Sequence, residues 1–553
     1  MLSFRRRVWI GVCALLFVMG MAVAFTRPFG EFALNDDWIF ARAVRDFQAE
    51  SFRLDPFIVP VFMGQLLYAR GLVSVFGFSF TLLHLSTVLI GMVGMVCLYR
   101  LLSSRQGVVV ALIASLAIFF HPLFYNVSFS FMTDVPALSF AVIAVFFYWK
   151  WWESPRLLWL WLAQIFALYA ACIRQNYAAV FVASVFLLLM QPERRKALQG
   201  FVGGFLPASL LMGGIYLFLQ GRGWWPTNII SFHVFEEKSI LVQHVKTQVF
   251  FILQYLGFFL IPFLILASSS LSRTRKWIAL VLAGLGVGLN MFLFSFYELT
   301  FPFFGNVWTK FGLGVRTDVL SGVPEAAWPV AFGVFLTCVA GAASGVLLFF
   351  LFDRLWSLLR NGVDRSLEPS RDRGLKIFLF VILLSQIAAL LLFRSFDRYY
   401  LSLFVPMLLL VSLWIERPFS RGVMKIAILW VGCLAIFSVI GTREYLSLTR
   451  IRWMVAQELL QKDVPVFIID AGYEWLGWHW YKKGNPEILP YYNPSMPWYI
   501  TTLVPDTTRE YVLSYSPVLE GYTLLSVHPY ERLFRANGEL YLLKQNWMTE
   551  EKN

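Results

Sequence analysis

Two adjacent carboxylates, Asp36 and Asp37, stand beside Trp38 in the stretch NDDWIFARAV, shortly after an apolar run over residues 8–26. Three further stretches carry groups that could work with them. The first holds His121 and then SFMTDVP with Asp134. The second is IRQNY with Arg174 and Gln175. The third is FRSFDRYYLSLFVP with Arg394, Asp397, Arg398, Tyr399 and Tyr400. A carboxylate can take the proton that a hydroxyl must lose to become a nucleophile. Arginines hold phosphates and carboxylates through paired N–H donors. Together these residue types suit a site that grips an anionic head group and moves a proton beside it.

Each residue also has an ordinary reading. Asn35 can cap a helix whose first turn holds Asp36 and Asp37, because carboxylates favour that end. Thr133 or Asp134 can cap the next helix, with Pro136 in its first turn. Arg174 and Arg398 can lie along a membrane interface with their heads in water. His121 can be a loop or packing residue, and Tyr399 and Tyr400 can belong to an aromatic belt. The combination, rather than any one member, points to chemistry.

The elements that must position these groups are membrane helices. Of 553 residues, 59% are hydrophobic and only 14% charged, whereas a soluble chain carries about a quarter charged residues. Mean hydropathy is +0.67. A span needs about 20 mostly apolar residues. Candidates lie near 8–26, 79–102, 107–121, 134–150, 157–173, 176–190, 201–219, 249–270, 277–297, 328–352, 376–393, 399–415 and 424–441, about thirteen in all. The apolar segment 57–76, broken by Pro60, Gly64 and Arg70, reads as a helix lying at the interface. Lys and Arg recur in alternate loops, from Arg5, Arg6 and Arg7 to Arg417, Arg421 and Lys425. That places the amino terminus in the cytoplasm and all the acid-and-arginine stretches on the outer side. The alternative, cleavage after Ala22-Val23-Ala24 as a signal peptide, would release the segment that anchors the first outer loop.

From about Arg443 the composition changes. TREYLSLTRIRWMVAQELLQKD has helical spacing, and VPVFIID, EYVLSYS, YTLLSV and GELYLLK read as strands. The predicted fold is an all-α polytopic membrane protein over 1–442, with a first outer loop at 27–78. A small extracytoplasmic α/β domain follows over 443–553. Asp470 and Glu474, in IIDAGYEWLGWHW, read as turn residues at a strand end.

Several functions are excluded. The net charge of +13 follows the inner loops, and no soluble segment carries a basic run with interleaved aromatics, so nucleic acid is not an expected partner. Cys13, Cys97, Cys172, Cys338 and Cys433 all fall in apolar stretches and read as core residues. No Walker loop, dinucleotide-binding glycine pattern or GxSxG elbow is present.

The paired acids of NDDWIFARAV in the first outer loop, with SFMTDVP, RQNY, DRYYLSLFVP and the span count, resemble the GT-C superfamily of membrane glycosyltransferases. The layout is most similar to bacterial relatives of the protein O-mannosyltransferases and to the lipid A aminoarabinose transferase. Protein mannosyltransferases usually show Asp-Glu where this chain has Asp-Asp, which leaves open which acid is catalytic and which acceptor is used. The resemblance implies a multi-pass protein of the bacterial cytoplasmic membrane. Its expected partners are a sugar donor on a polyprenyl phosphate and an acceptor hydroxyl on a glycan, lipid or protein. On this reading Asp37 or Asp36 is the base, with Asp37 preferred, and the displacement inverts the anomeric carbon. Arg398 holds the leaving phosphate, with Arg174, Arg394 and Tyr399 behind it. Asp134 orients the acceptor, binds a divalent ion or holds an arginine, and His121 is grouped with it as an acceptor-side or second-loop residue. Members of the superfamily differ in metal use, and Asp36, Asp37 and Asp134 are the oxygen ligands available to a divalent cation. Two alternatives in other classes are a polysaccharide polymerase or ligase using a lipid-diphosphate-linked glycan, and a secondary transporter.

Overall fold

In a computed structural model the chain is described over residues 4–226, 238–269, 271–303, 305–360, 370–393, 395–414, 421–481, 497–533 and 536–546. Among these residues eight helices are long and apolar enough to cross a membrane, or up to ten if two sharply bent pairs each count as one span. The expected count of about thirteen is not reached by this measure among the described residues. Leu157–Ile173 and Gln175–Leu189 are apolar but shorter. The run read as 107–121 bends by 64° into the short helix Pro122–Ser128. Pro122 begins that helix, and proline accepts a helix start but breaks a helix interior. What reads as an exposed second loop is thus a buried turn of helix that ends next to Asp134.

Three of the glutamines inside the helical layer are hydrogen-bonded to neighbouring helices, which offsets the cost of burying a polar group there. Gln164 accepts from the Tyr148 hydroxyl at 2.8 Å, Gln254 donates to Ser344 at 3.2 Å, and Gln386 and Asn176 exchange bonds at 2.7 and 2.9 Å. Segment 57–76 contains the helix Met63–Phe76, entered through Phe62 at a φ of 62°.

The last membrane helix does not stop where the composition changes. It runs unbroken over Arg421–Gln461, 41 residues, so the boundary expected at 442/443 falls inside one helix. The tail domain beyond it carries a four-stranded sheet. Ile469–Asp470 pairs in parallel with Tyr511–Ser514, which pairs antiparallel with Gly538–Gln545, which in turn pairs antiparallel with the edge strand Tyr522–Tyr530. Of VPVFIID only Ile469 and Asp470 are strand, and Val466–Ile468 forms a tight helical turn.

Candidate active site

The paired acids divide at the start of the helix Asp37–Arg45. Asn35 adopts a left-handed φ of 57°, and the next two carboxylates point in different directions. Asp37 points inward and is 0% exposed. Its Oδ1 accepts from the Leu34 backbone N–H at 2.7 Å. Its Oδ2 accepts from the Phe131 N–H at 3.1 Å and from His84 Nε2 at 2.8 Å. An ionised carboxylate only accepts, so the His84 nitrogen is the donor. Burial pushes the Asp37 carboxyl above the usual range, against the pull of His84 and the two backbone donors. Asp37 ties the first loop to the helix Phe80–Gln106 and to the turn before Asp134. Asn35 does not cap the helix as its position suggests.

That role has a testable cost. Asp37→Asn must turn an NH₂ group toward one of three donors, and breaking a buried hydrogen-bonded charge costs about 2–4 kcal/mol. The variant is expected to melt several degrees below the native chain in detergent. An unchanged melting temperature would remove Asp37 from the framework.

Asp36 faces the other way, with its side chain 26% exposed. Its Oδ2 accepts from Arg398 Nη2 at 2.7 Å and its Oδ1 from the Tyr473 hydroxyl at 2.9 Å. Arg398 Nη1 donates to Asn306 Oδ1 at 2.9 Å, and the same oxygen receives Asn35 Nδ2 at 3.1 Å. Arg316 approaches Asn35 Oδ1 at 3.5 Å and is paired with Asp318. Burial raises the Asp36 carboxyl, but Arg398, Tyr473 and Arg316 outweigh it and hold the group below its ordinary value.

Behind Arg398 lies Asp134, with the two side chains 3.8 Å apart from Arg398 Nε to Asp134 Oδ2. Among the described residues both atoms are buried without a hydrogen-bond partner. Arg174 pairs with the other oxygen of Asp134. The Tyr399 ring lies against both cations, 4.5 Å from the Arg174 guanidinium carbon and 5.5 Å from that of Arg398. It serves as a plate that aligns them. Asp397 anchors the loop opposite by accepting from the backbone N–H groups of Val307 and Trp308 at 3.0 and 2.9 Å. Burial pushes Asp397 up to about 6, against those N–H groups and the Arg398 charge.

The structure thus brings Asp36, Asp134, Arg174, Arg398 and Tyr399 together and sets Asp37 just behind them. His121 stands apart. Its Nδ1 accepts from the Leu123 N–H at 3.2 Å, and its ring packs at 3.6 and 4.4 Å on Phe259 and Phe404. It caps the helix Pro122–Ser128 and takes no place among the acids. Arg394 lies outside the described residues. Neither Thr133 nor Asp134 caps its helix with a side-chain bond. The three acids do not fit a divalent cation: Asp36 and Asp134 are answered by arginines, Asp37 by His84 and backbone. No three His, Cys, Asp or Glu side chains converge among the described residues.

Four participants were not visible as such in the sequence. Asn306 and Arg316 come from the Gly- and aromatic-rich segment 298–327, His84 from inside a membrane helix, and Tyr473 from the tail. Glu474, read as a turn residue, accepts from the Asn35 backbone N–H at 3.2 Å and from Arg452 at 2.9 Å.

Below these charges the helices part. A narrow open crevice is lined by Leu138, Val142, Tyr177, Ile382, Val405 and Leu409, among others. It begins one turn below Asp134, on the helix Asp134–Glu153.

The charged groups gathered at one rim of the polytopic helical layer thus stand over an apolar crevice. Residues 62–218 match the family model described as dolichyl-phosphate-mannose-protein mannosyltransferase, and the chain resembles the GT-C membrane glycosyltransferases. The matched stretch contains Asp134 and Arg174, and neither Asp36 nor Arg398. Among solved structures, the chain is similar to ArnT from Cupriavidus metallidurans bound to undecaprenyl phosphate, with 11% identity, 97% of each chain covered and a TM-score of 0.40. The apo state of the same protein gives 13% identity, 96% and 98% coverage and a TM-score of 0.37. The arabinosyltransferase EmbB from Mycobacterium smegmatis gives 15% identity, a TM-score of 0.30, and coverage of 80% of this chain and 40% of its own. At these scores the structural likenesses carry no weight for function. No curated protein sequence matches the chain.

Proposed function

We propose that this chain transfers a sugar from a polyprenyl-phosphate donor to an acceptor hydroxyl at the outer face of the bacterial cytoplasmic membrane, with inversion at the anomeric carbon. One observation carries the reading. A part-exposed carboxylate, Asp36, accepts from Arg398 at one end of a row of alternating charges, Asp36, Arg398, Asp134 and Arg174, above an apolar crevice. A lipid phosphate suits that region, with its tail in the crevice and its oxygens on Arg398 and Arg174. Asp36, rather than Asp37, is the base, because Asp37 has its oxygens committed to three donors and no exposure.

The acceptor oxygen attacks the anomeric carbon as its proton passes to Asp36. The bond from that carbon to the phosphate oxygen breaks, and the electron pair leaves with the phosphate. As Asp36 takes the proton it loses its charge and with it most of its claim on Arg398. The guanidinium is released toward the phosphate while that group gains charge. A fixed cation where charge develops lowers the barrier.

The crevice gives the direct test. Val142→Trp fills it well away from the charged groups. With the crevice filled the tail loses its contacts there, and a loss of about 1.4 kcal/mol lowers affinity for undecaprenyl phosphate about tenfold. Affinity for a short-chain isoprenyl phosphate should stay unchanged. Equal losses for both lipids, or none for either, would place the tail elsewhere.

A further inference from the structure

Tyr473 belongs to the tail domain, more than four hundred residues from Asp36 in sequence, yet its hydroxyl donates to Asp36 Oδ1 at 2.9 Å. The turn that delivers it is fixed on every side. Gly472 has a φ of +92°, and a Cβ there would stand 2.6 Å from the Val319 carbonyl oxygen. The Tyr473 N–H donates to that same carbonyl at 2.9 Å. Upstream, Asp470 accepts from the Gly472 N–H at 3.0 Å, from the Tyr499 hydroxyl at 3.0 Å and from Arg509 Nε at 2.9 Å. Downstream, Glu474 bridges Arg452 and the Asn35 backbone. The Tyr473 ring lies edge-on to Trp38 at 5.8 Å and beside Trp498 at 5.3 Å. The helix Tyr473–His479 approaches Trp38 so closely that a Cβ on Gly477 would lie 2.5 Å from the indole. A turn held this firmly, with one hydroxyl aimed at a part-exposed carboxylate, exceeds what packing needs.

We propose that the tail domain completes the catalytic centre through Tyr473, a positioning residue whose hydroxyl holds Asp36 Oδ1 and keeps that carboxylate ionised and aimed. This rests on the reading of Asp36 as the base and Arg398 as the phosphate holder. The charged and titratable groups around Asp36 are Arg398 and Arg316, then Asp134 behind Arg398, Asp318 on Arg316, and Glu474 across Asn35. Arg398 and Arg316 favour the anion and remain in a Tyr473→Phe variant. The ring and its packing also remain, so the hydroxyl alone is removed. A hydrogen bond donated to a carboxylate favours its ionised form. Without the hydroxyl, Asp36 takes a proton at a pH about one unit higher.

Undecaprenyl phosphate binding to the full chain reads this out. Asp36 and the lipid phosphate compete for Arg398, so neutralising Asp36 tightens lipid binding. Dissociation constants are measured across pH for the native chain, Tyr473→Phe and Asp36→Asn. Dividing each by the Asp36→Asn value cancels the lipid's own titration. The ratio falls toward one on acidification in the native chain, and its midpoint lies about one pH unit higher in Tyr473→Phe. Coincident midpoints overturn the role of Tyr473 while leaving the phosphate site standing. A native chain that does not bind the lipid overturns both.

Discussion

Asp36→Asn leaves a folded protein that no longer transfers sugar. Asparagine matches aspartate in shape; its amide oxygen can take Arg398 while its NH₂ meets the Tyr473 hydroxyl, which can turn to accept, and Asp134 still stands beside Arg398, so the chain should stay folded with a lowered melting temperature. It does not accept the acceptor's proton, and loss of a positioned base slows transfer on the order of 10²–10⁴-fold. Lipid binding goes the opposite way. In the native site the Asp36 carboxylate lies 2.7 Å from Arg398 Nη2, where it repels an incoming phosphate and competes with it. Removing that charge should tighten binding of undecaprenyl phosphate. Activity lost while affinity is kept or gained separates a base from a ligand-binding residue. Transfer at the native rate would remove Asp36 from the chemistry, and weaker lipid binding would mean that the carboxylate and the phosphate do not share Arg398.

Arg398→Gln fails in both respects. Arg398 holds Asp36 and Asn306 and lies next to Asp134, with only 4% of its side chain exposed. Losing its charge leaves two acids without their shared cation, and breaking a buried pair by removing one partner costs about 3–5 kcal/mol. The phosphate loses a charge-assisted contact worth about 1.5–3 kcal/mol, so lipid affinity should fall by about ten- to a hundredfold. The double variant Asp36→Asn with Arg398→Gln then recovers much of the lost stability, because an uncompensated carboxylate is no longer present, but recovers no transfer. Non-additive stabilities in this pair are the signature of direct coupling. If the two losses simply add, the ion pair is not what holds the site together.

Much of this site was legible because its chemistry is concentrated in short stretches. NDDW, TDVP, RQNY and FDRYY each place a charged group at a helix end, and helix ends at one rim of a membrane layer meet. Their partners were not legible. Asn306, Arg316 and Tyr473 reach the site through folding of loops and the tail, and nothing in their own neighbourhoods distinguishes them from other polar residues. The choice between Asp36 and Asp37 was out of reach for a different reason. Adjacent residues at a helix start point in different directions, and only the left-handed turn at Asn35 decides which one faces inward. The sequence favours Asp37, and the proposed base is Asp36 because three donors occupy Asp37. The bend at Pro122 was not legible, because hydropathy does not report a change of direction. The domain boundary was placed at a change in composition that the helix Arg421–Gln461 simply runs through, since helical periodicity and hydropathy are independent signals.

That helix has a practical meaning for anyone wishing to exchange parts between relatives. At a rise of about 1.5 Å per residue it is a rod about 60 Å long, and its 41 residues belong to both halves of the molecule. A chimera joined at residue 442, where the hydropathy profile invites the cut, would splice two rods in the middle. Each inserted or deleted residue would turn the tail by about 100° and swing the Tyr473 turn away from its carboxylate. A junction that preserves the angular register, or one placed beyond Gln461, is the design rule this architecture imposes.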